Sequence, residues 1–171
     1  MKKIIGLIII MGTFLFACKK PVNFSDIPEI KFISFEKYKD NQTEDGAILT
    51  FSFKDGDGDI GLHEWETFPP FDSTSVYYYN FFCDYYEKRN GIFTKIDSVE
   101  NINGMMLPFN LNARIPRLSK LQKEPIHGDI FITMPYYYDK SSPYKDTIQL
   151  KFYIVDRKLN KSNSETIVVM R

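Results

Sequence analysis

The sequence predicts an all-β protein in which two antiparallel sheets pack as a sandwich. Aromatic residues make up 16% of the 171-residue chain, and such side chains favour the pleated, half-buried surface of a sheet. Apolar and polar residues alternate over several short segments, and the sequence contains no long amphipathic helical period. Turn-forming residues separate about eight such segments without helical crossovers, which favours antiparallel pairing. A small barrel is the alternative.

The clearest strand pattern lies in the first half of the chain. Residues 29–38 alternate between apolar and polar side chains, and the polar segment 40–46 predicts a turn. Residues 47–53 predict the next strand, whose apolar side chains share one face because successive side chains of a strand point to opposite sides. That face consists of Ala47, Leu49, Phe51 and Phe53. It predicts one wall of the core.

A hairpin is predicted around Asn90-Gly91. Residues 75–88 form a long β-like segment before this dipeptide, and residues 92–97 follow it as the returning partner. Asn-Gly between two such segments is a strong hairpin signal, since both residues tolerate a positive φ angle.

The second half of the chain contributes four further predicted strands. They are residues 109–115, 130–134, 147–155 and 166–170. A short helix or turn is expected at 117–123, and a polar turn at 156–164. Leu150, Phe152 and Ile154 share one face and are expected to pack against the face of the 47–53 strand. This strand pattern is typical of immunoglobulin-like and fibronectin-III-like sandwiches, although the antibody Cys…Trp…Cys pattern is absent.

Charge and cysteine content exclude several classes of function. The chain has 22 basic and 22 acidic side chains and no dense basic run, so a nucleic-acid partner is not expected. Of the two cysteines, Cys83 lies in an aromatic-rich segment and is interpreted as a buried, inert thiol. His63 and His127 are isolated in the sequence, which argues against a zinc site.

The segment Asp55-Gly56-Asp57-Gly58-Asp59 is the one motif with evident chemistry. Three carboxylates at alternate positions can surround a hard cation, and Ca²⁺ takes six to eight oxygen ligands. The motif resembles Asp-x-Asp-x-Asp calcium loops, in which a glutamate stands at position twelve, here Glu66. Ile60 replaces the usual glycine and a strand precedes the loop, so it is not an EF-hand. The alternative is that Asp-Gly repeats simply form a turn.

The N-terminus has the features of an export signal. Two lysines precede the apolar segment 4–16, and Leu15-Phe16-Ala17-Cys18 follows the pattern of a lipobox. The segment resembles the signal of bacterial lipoproteins. The resemblance implies that residues 1–17 are removed and that Cys18 becomes an acylated N-terminus anchored in a membrane. It also favours the outer membrane over the inner one, because Lys19 replaces the aspartate that commonly marks inner-membrane retention.

The remaining sequence then divides into a tether and one domain. Residues 18–28 contain Pro21 and Pro28 without apolar periodicity and are expected to form the lipid-anchored tether, and residues 29–171 form the sandwich domain. Residues 51–62 are similar to a segment of small, uncharacterised lipoproteins of Gram-negative bacteria. That resemblance implies a fold and a location in the cell envelope.

These observations favour a non-catalytic binding or assembly module with a calcium-binding loop. Trp65 and Tyr137 lie in aromatic loops and are candidate contacts for an envelope protein or a glycan, unless such rings cap the core. The alternative function is a small glycosidase-like hydrolase that uses Glu64, Glu66 and the acidic loop as acid and base. The sequence shows no nucleophile–base set, so an enzyme is not the favoured prediction.

Overall fold

Antiparallel pairing organises every strand of the computed structural model, which describes residues 24–40, 44–101, 103–118 and 124–171. Within these ranges the chain forms nine strands and one 3-10 turn at Val76–Tyr78. The strands are β1 (Glu29–Asp40), β2 (Glu44–Asp55), β3 (Phe81–Arg89), β4 (Ile92–Lys95), β5 (Ser98–Glu100), β6 (Met106–Pro108), β7 (Ile126–Met134), β8 (Thr147–Ile154) and β9 (Glu165–Met170). The prediction of an all-β protein is confirmed.

Two of the sheets form the layers of a sandwich. One has the strand order β1-β2-β7, the other has the order β4-β3-β8-β9, and β5 and β6 form a small separate hairpin. Neighbouring strands are antiparallel in all three sheets. The antiparallel sandwich is therefore confirmed, whereas its immunoglobulin- or fibronectin-III-like character stays a prediction.

The core lies between the two larger sheets and consists of the residues that alternation predicts. The ring of Phe51 on β2 lies 5.8 Å from that of Phe81 and 5.6 Å from that of Phe152, both on the opposite sheet. All seven residues predicted to face the core are buried: Ala47, Leu49, Phe51, Phe53, Leu150, Phe152 and Ile154. Large aromatic side chains thus fill the space between the layers.

The Asn90-Gly91 hairpin forms as predicted. Asn90 has a φ angle of 50° and Gly91 one of 84°, and Arg89 pairs with Ile92 directly across the turn. Two positive φ angles are what a two-residue type I′ turn requires, because its twist matches that of the flanking strands.

Two predicted strands are corrected. The strand predicted at 75–88 begins only at Phe81, as β3. The residues before it form the 3-10 turn, which Ser75 caps by accepting a hydrogen bond from the backbone of Tyr77. Residues 109–115 make only an isolated bridge, from Ala113 to the start of β3. Beside this bridge, the side-chain oxygen of Asn112 accepts a hydrogen bond of 3.0 Å from the backbone N–H of Cys83. It takes the place of a backbone carbonyl. A side-chain amide thus interrupts the ladder there.

Residues 24 and 25, which precede the predicted boundary at residue 29, also contact the domain. The ring of Phe24 lies 5.7 Å from that of His127, and the carbonyl of Ser25 accepts a hydrogen bond from Gly56 at 2.8 Å. The described residues of the predicted turn at 40–46 belong to strands, because β1 extends to Asp40 and β2 begins at Glu44. Residues 119–123 of the predicted helix or turn at 117–123 lie outside the described residues, as does Cys18, the predicted acylation site. Within the described ranges, no helix has the length and apolar character needed to cross a membrane.

Candidate metal centre

The aspartate loop begins at the end of β2, where Asp55 is the last residue of the strand. Backbone hydrogen bonds fasten the loop on both sides. Gly56 donates to Ser25, and beyond the loop Leu62 donates to the carbonyl of Ile115 at 3.0 Å. The loop is therefore packed into the domain, between the N-terminal segment and the segment after residue 111.

Two glycines allow this close packing. Gly58 has a φ angle of 67° and Gly61 one of 89°, in the left-handed region that side chains with a Cβ rarely adopt. A Cβ at Gly58 would collide with the backbone carbonyl of Glu124, and one at Gly61 would collide with that of Pro116. The loop backbone thus lies directly against neighbouring chain at both positions.

The three aspartates converge as the sequence predicts. One carboxylate oxygen from each of Asp55, Asp57 and Asp59 lies within 4.8 Å of the others. Asp55 is 0% exposed and Asp57 is 9% exposed. The Oδ1 atoms of all three are buried and have no hydrogen-bond partner among the described residues. Buried polar atoms in native proteins nearly always have a hydrogen-bond partner, so these three oxygens are candidates to bind a cation, a water or a proton.

Burial changes the acidity of the cluster. Burial, reinforced by the neighbouring charges of Asp57 and Asp156, raises the pKa of Asp55 to about 6. Burial and the charge of Asp156 likewise raise the pKa of Asp59 to about 7. The Oδ2 atom of Asp55 also accepts a hydrogen bond of 2.8 Å from the backbone of Asp59, which partly opposes the effect. Without a cation, the cluster therefore holds on to protons near neutral pH.

A fourth carboxylate, not identified from the sequence, comes from the opposite sheet. Asp156 follows the end of β8 and is 2% exposed. Its two oxygens accept hydrogen bonds of 2.8 Å from the backbone and the side-chain amide of Asn160. Burial raises its pKa, and the charge of Asp57 adds to this effect. The sequence contains no local signal for this neighbour, because Asp156 lies in what reads as an ordinary polar turn.

Two basic side chains partly neutralise these four carboxylates. The ammonium group of Lys158 donates a hydrogen bond to Oδ2 of Asp57. Arg117 interacts electrostatically with Asp59 and Asp55. The carboxylates outnumber these basic groups, so the ionised cluster carries an excess of negative charge that a cation would offset.

Glu66 is not grouped with the aspartates. It is buried, but one oxygen accepts the backbone N–H of His63 at 2.6 Å and the other accepts a hydrogen bond from Arg157. Burial acts to raise its pKa, yet these two hydrogen bonds outweigh that effect and lower the pKa. Its role here is to pair with Arg157 and hold the turn of chain around residue 63.

Of the two predicted aromatic contacts, one is exposed and one is buried. Trp65 is 65% exposed and stacks on His63 at 5.2 Å and on Phe68 at 6.3 Å. The guanidinium of Arg114 holds this loop by donating to the carbonyl of Glu66 at 2.6 Å. Tyr137 is 2% exposed, which fits the alternative in which the tyrosine segment belongs to the core.

Cys83 has the environment expected of an inert thiol. It lies on β3 and is 3% exposed. Burial, with a smaller contribution from Asp84, raises the pKa of its thiol. A neutral, inaccessible thiol is a poor nucleophile.

Comparisons of this chain with protein-family models, with curated proteins and with solved structures found no match. The chemistry of the site therefore rests on its own geometry. Three converging carboxylates form a cluster that could hold a metal ion.

Proposed function

We propose that this protein is a lipid-anchored module of the cell envelope that binds or assembles partners and whose aspartate loop binds Ca²⁺. Two observations together carry the metal assignment. One carboxylate oxygen from each of Asp55, Asp57 and Asp59 lies within 4.8 Å of the others, and the buried Oδ1 atom of each has no hydrogen-bond partner among the described residues. A bound cation would satisfy all three oxygens at once and offset the mutual repulsion of the carboxylates.

The ligand chemistry favours calcium among the common cations. The cluster offers only oxygen atoms, which suit hard cations, whereas zinc prefers nitrogen and sulfur ligands. Calcium accepts irregular oxygen sets with backbone carbonyls and waters, while Mg²⁺ demands octahedral geometry and gives up its waters reluctantly. A short glycine-containing loop with three carboxylates meets the calcium requirement more easily.

The surroundings of the site support a stabilising role over a catalytic one. A glycosidase acid needs a raised pKa beside the scissile bond, yet the pKa of Glu66 is lowered by its hydrogen bonds with His63 and Arg157. Glu64 is exposed, whereas Asp55 and Asp57 are buried. The hydrolase alternative predicts glycoside cleavage by the purified protein, and the binding module predicts none.

The envelope location rests on the lipobox and Cys18. In this proposal the aspartate loop lies near the anchored end of the domain, since Gly56 donates a hydrogen bond to Ser25 of the N-terminal segment. A cation there would stiffen the domain at the end nearest its anchor.

The partner surface in this proposal is the exposed loop around Trp65. Buried Glu66 and half-buried Arg114 hold the backbone of the loop in place, so Trp65 and Phe68 are presented on a fixed support. Exposed aromatic side chains on rigid loops are effective anchors for a protein or a sugar ring, because little conformational entropy is lost on binding.

The metal assignment is tested by thermal unfolding of the metal-depleted protein with and without CaCl₂. A cation at 100 times its Kd stabilises the fold by about 2.7 kcal/mol, and this corresponds to a Tm increase of about 5–10 °C for a domain of this size. Asp57→Asn should lose most of this increase, while Asp129→Asn, an exposed aspartate on β7, should keep it. Identical melting curves for the wild type with calcium and with chelator would contradict the proposal.

A further inference from the structure

We infer that Lys158 is a built-in competitor for the metal: its ammonium group neutralises Asp57 while the site lacks a cation and moves into solvent when Ca²⁺ binds. This inference rests on the proposed calcium site. It concerns how that site is regulated and which residue sets its affinity.

Lys158 lies in a position from which its charge can compete with a cation for Asp57. Its ammonium group is hydrogen-bonded to Oδ2 of Asp57, whose Oδ1 is one of the three orphaned oxygens of the cluster. The same ammonium interacts electrostatically with Asp59 and with Asp26. A cation that binds Asp57 through both oxygens would need the position of this ammonium, and the two positive charges would repel each other.

The side chain can leave because its ammonium group has a single hydrogen-bond partner, Asp57, among the described residues. Lys158 is 58% exposed, whereas the carboxylate that it contacts is 11% exposed. The lysine stem is flexible, so its charged end can exchange a carboxylate for water at little cost. Asp57 cannot make the same exchange, because it is part of the packed loop. The lysine is therefore the mobile partner of this pair.

The turn that carries Lys158 also carries Asp156, whose carboxylate interacts electrostatically with the aspartate cluster. Asp156 stands two residues earlier, is 2% exposed, and is held by Asn160 from the same turn. A bound cation would therefore attract Asp156 and repel Lys158, and both residues lie in the same turn. Calcium binding would keep this turn against the aspartate loop while it releases the lysine side chain.

Calcium titration of two lysine variants tests the inference. Lys158→Met removes the competing charge, and Lys161→Met removes the same charge three residues later in the same turn. The ammonium of Lys161 lies 3.7 Å from the ring centroid of Tyr153, so it serves as the matched control for general electrostatics. We expect the calcium Kd of Lys158→Met to be about tenfold lower than that of Lys161→Met, as for a lost hydrogen bond between charged groups.

Amine labelling of the wild type gives a second readout. Acetylation of Lys158, followed by mass spectrometry, should become faster when calcium is added, because the freed ammonium loses its carboxylate partner. Acetylation of Lys161 should keep its rate and serves as the internal reference.

The outcomes separate this inference from the proposed function. If wild type and both variants bind calcium equally and labelling of Lys158 does not change, the competitor role is wrong and the calcium site stands. If no variant binds calcium, the proposed function is wrong and the inference falls with it. If only Lys158→Met binds calcium, lysine is the resident cation of the natural site, which upholds its competition with the metal and refutes calcium binding by the natural chain.

Discussion

The stability of the metal-free protein should fall as pH rises from about 4 to about 7, and saturating calcium should reverse this trend. The carboxylates of Asp55 and Asp59 have pKa values raised from 3.8 to about 6 and about 7, chiefly by burial. The folded protein therefore holds more protons than the unfolded chain in this range. Since stability falls with pH wherever the folded state binds more protons, the loss begins above the unfolded pKa and is complete above the folded pKa.

The size of the effect follows from the same values. One pKa unit corresponds to about 1.4 kcal/mol, so the change from 3.8 to about 6 at Asp55 alone represents about 3 kcal/mol lost between pH 4 and pH 7. Calcium replaces these protons. It competes best once the carboxylates are ionised, so the stabilisation by calcium should grow over the same pH range.

The assay is urea unfolding followed by circular dichroism, at intervals from pH 4 to pH 8, with metal-depleted protein and with calcium at 100 times its Kd. Asp55→Asn should make the metal-free profile shallower, because the amide keeps an acceptor for the backbone of Asp59 and carries no charge. The slope that remains comes from Asp59. Asp129→Asn should keep the wild-type profile. A metal-free stability that stays level or rises from pH 4 to pH 7 would refute the account of desolvated carboxylates.

Three further predictions concern the core, the anchor and the aromatic loop. Phe51→Ala should lower the free energy of unfolding by about 3–5 kcal/mol, because the ring is fully buried between both sheets, while Phe131→Ala, 67% exposed, should cost far less in the same urea titration. Cys18→Ser should release the protein from the membrane fraction and remove the lipid mass from its N-terminus, and a variant that still sediments with membranes would count against the lipoprotein assignment. Trp65→Ala should leave the melting temperature nearly unchanged, since the ring is largely exposed, and should weaken binding of a pulled-down envelope partner or of an immobilised glycan. Undiminished partner binding by that variant would exclude this loop as the contact surface.

Patterns that depend on neighbouring residues were readable from the sequence. The alternation in β2 and β8 identifies their buried faces, since the direction of a side chain follows from its position along a strand. Asn90-Gly91 identifies the hairpin because its backbone requirement is local. The convergence of Asp55, Asp57 and Asp59 likewise follows from their spacing in one short loop.

Contacts between distant segments were decided only by the tertiary structure. The hydrogen bond between Lys158 and Asp57 joins residues 101 positions apart, and Asp156 reaches the aspartate cluster from the other sheet of the sandwich. Asn112 interrupts the ladder beside β3 because a side-chain amide happens to meet a backbone donor there. Local periodicity determines which face of a strand is apolar. Which loops contact each other depends instead on which strands end at the same end of the sandwich. That arrangement is set by packing of the whole chain, so the charge balance of the candidate metal centre could be read only from the folded protein.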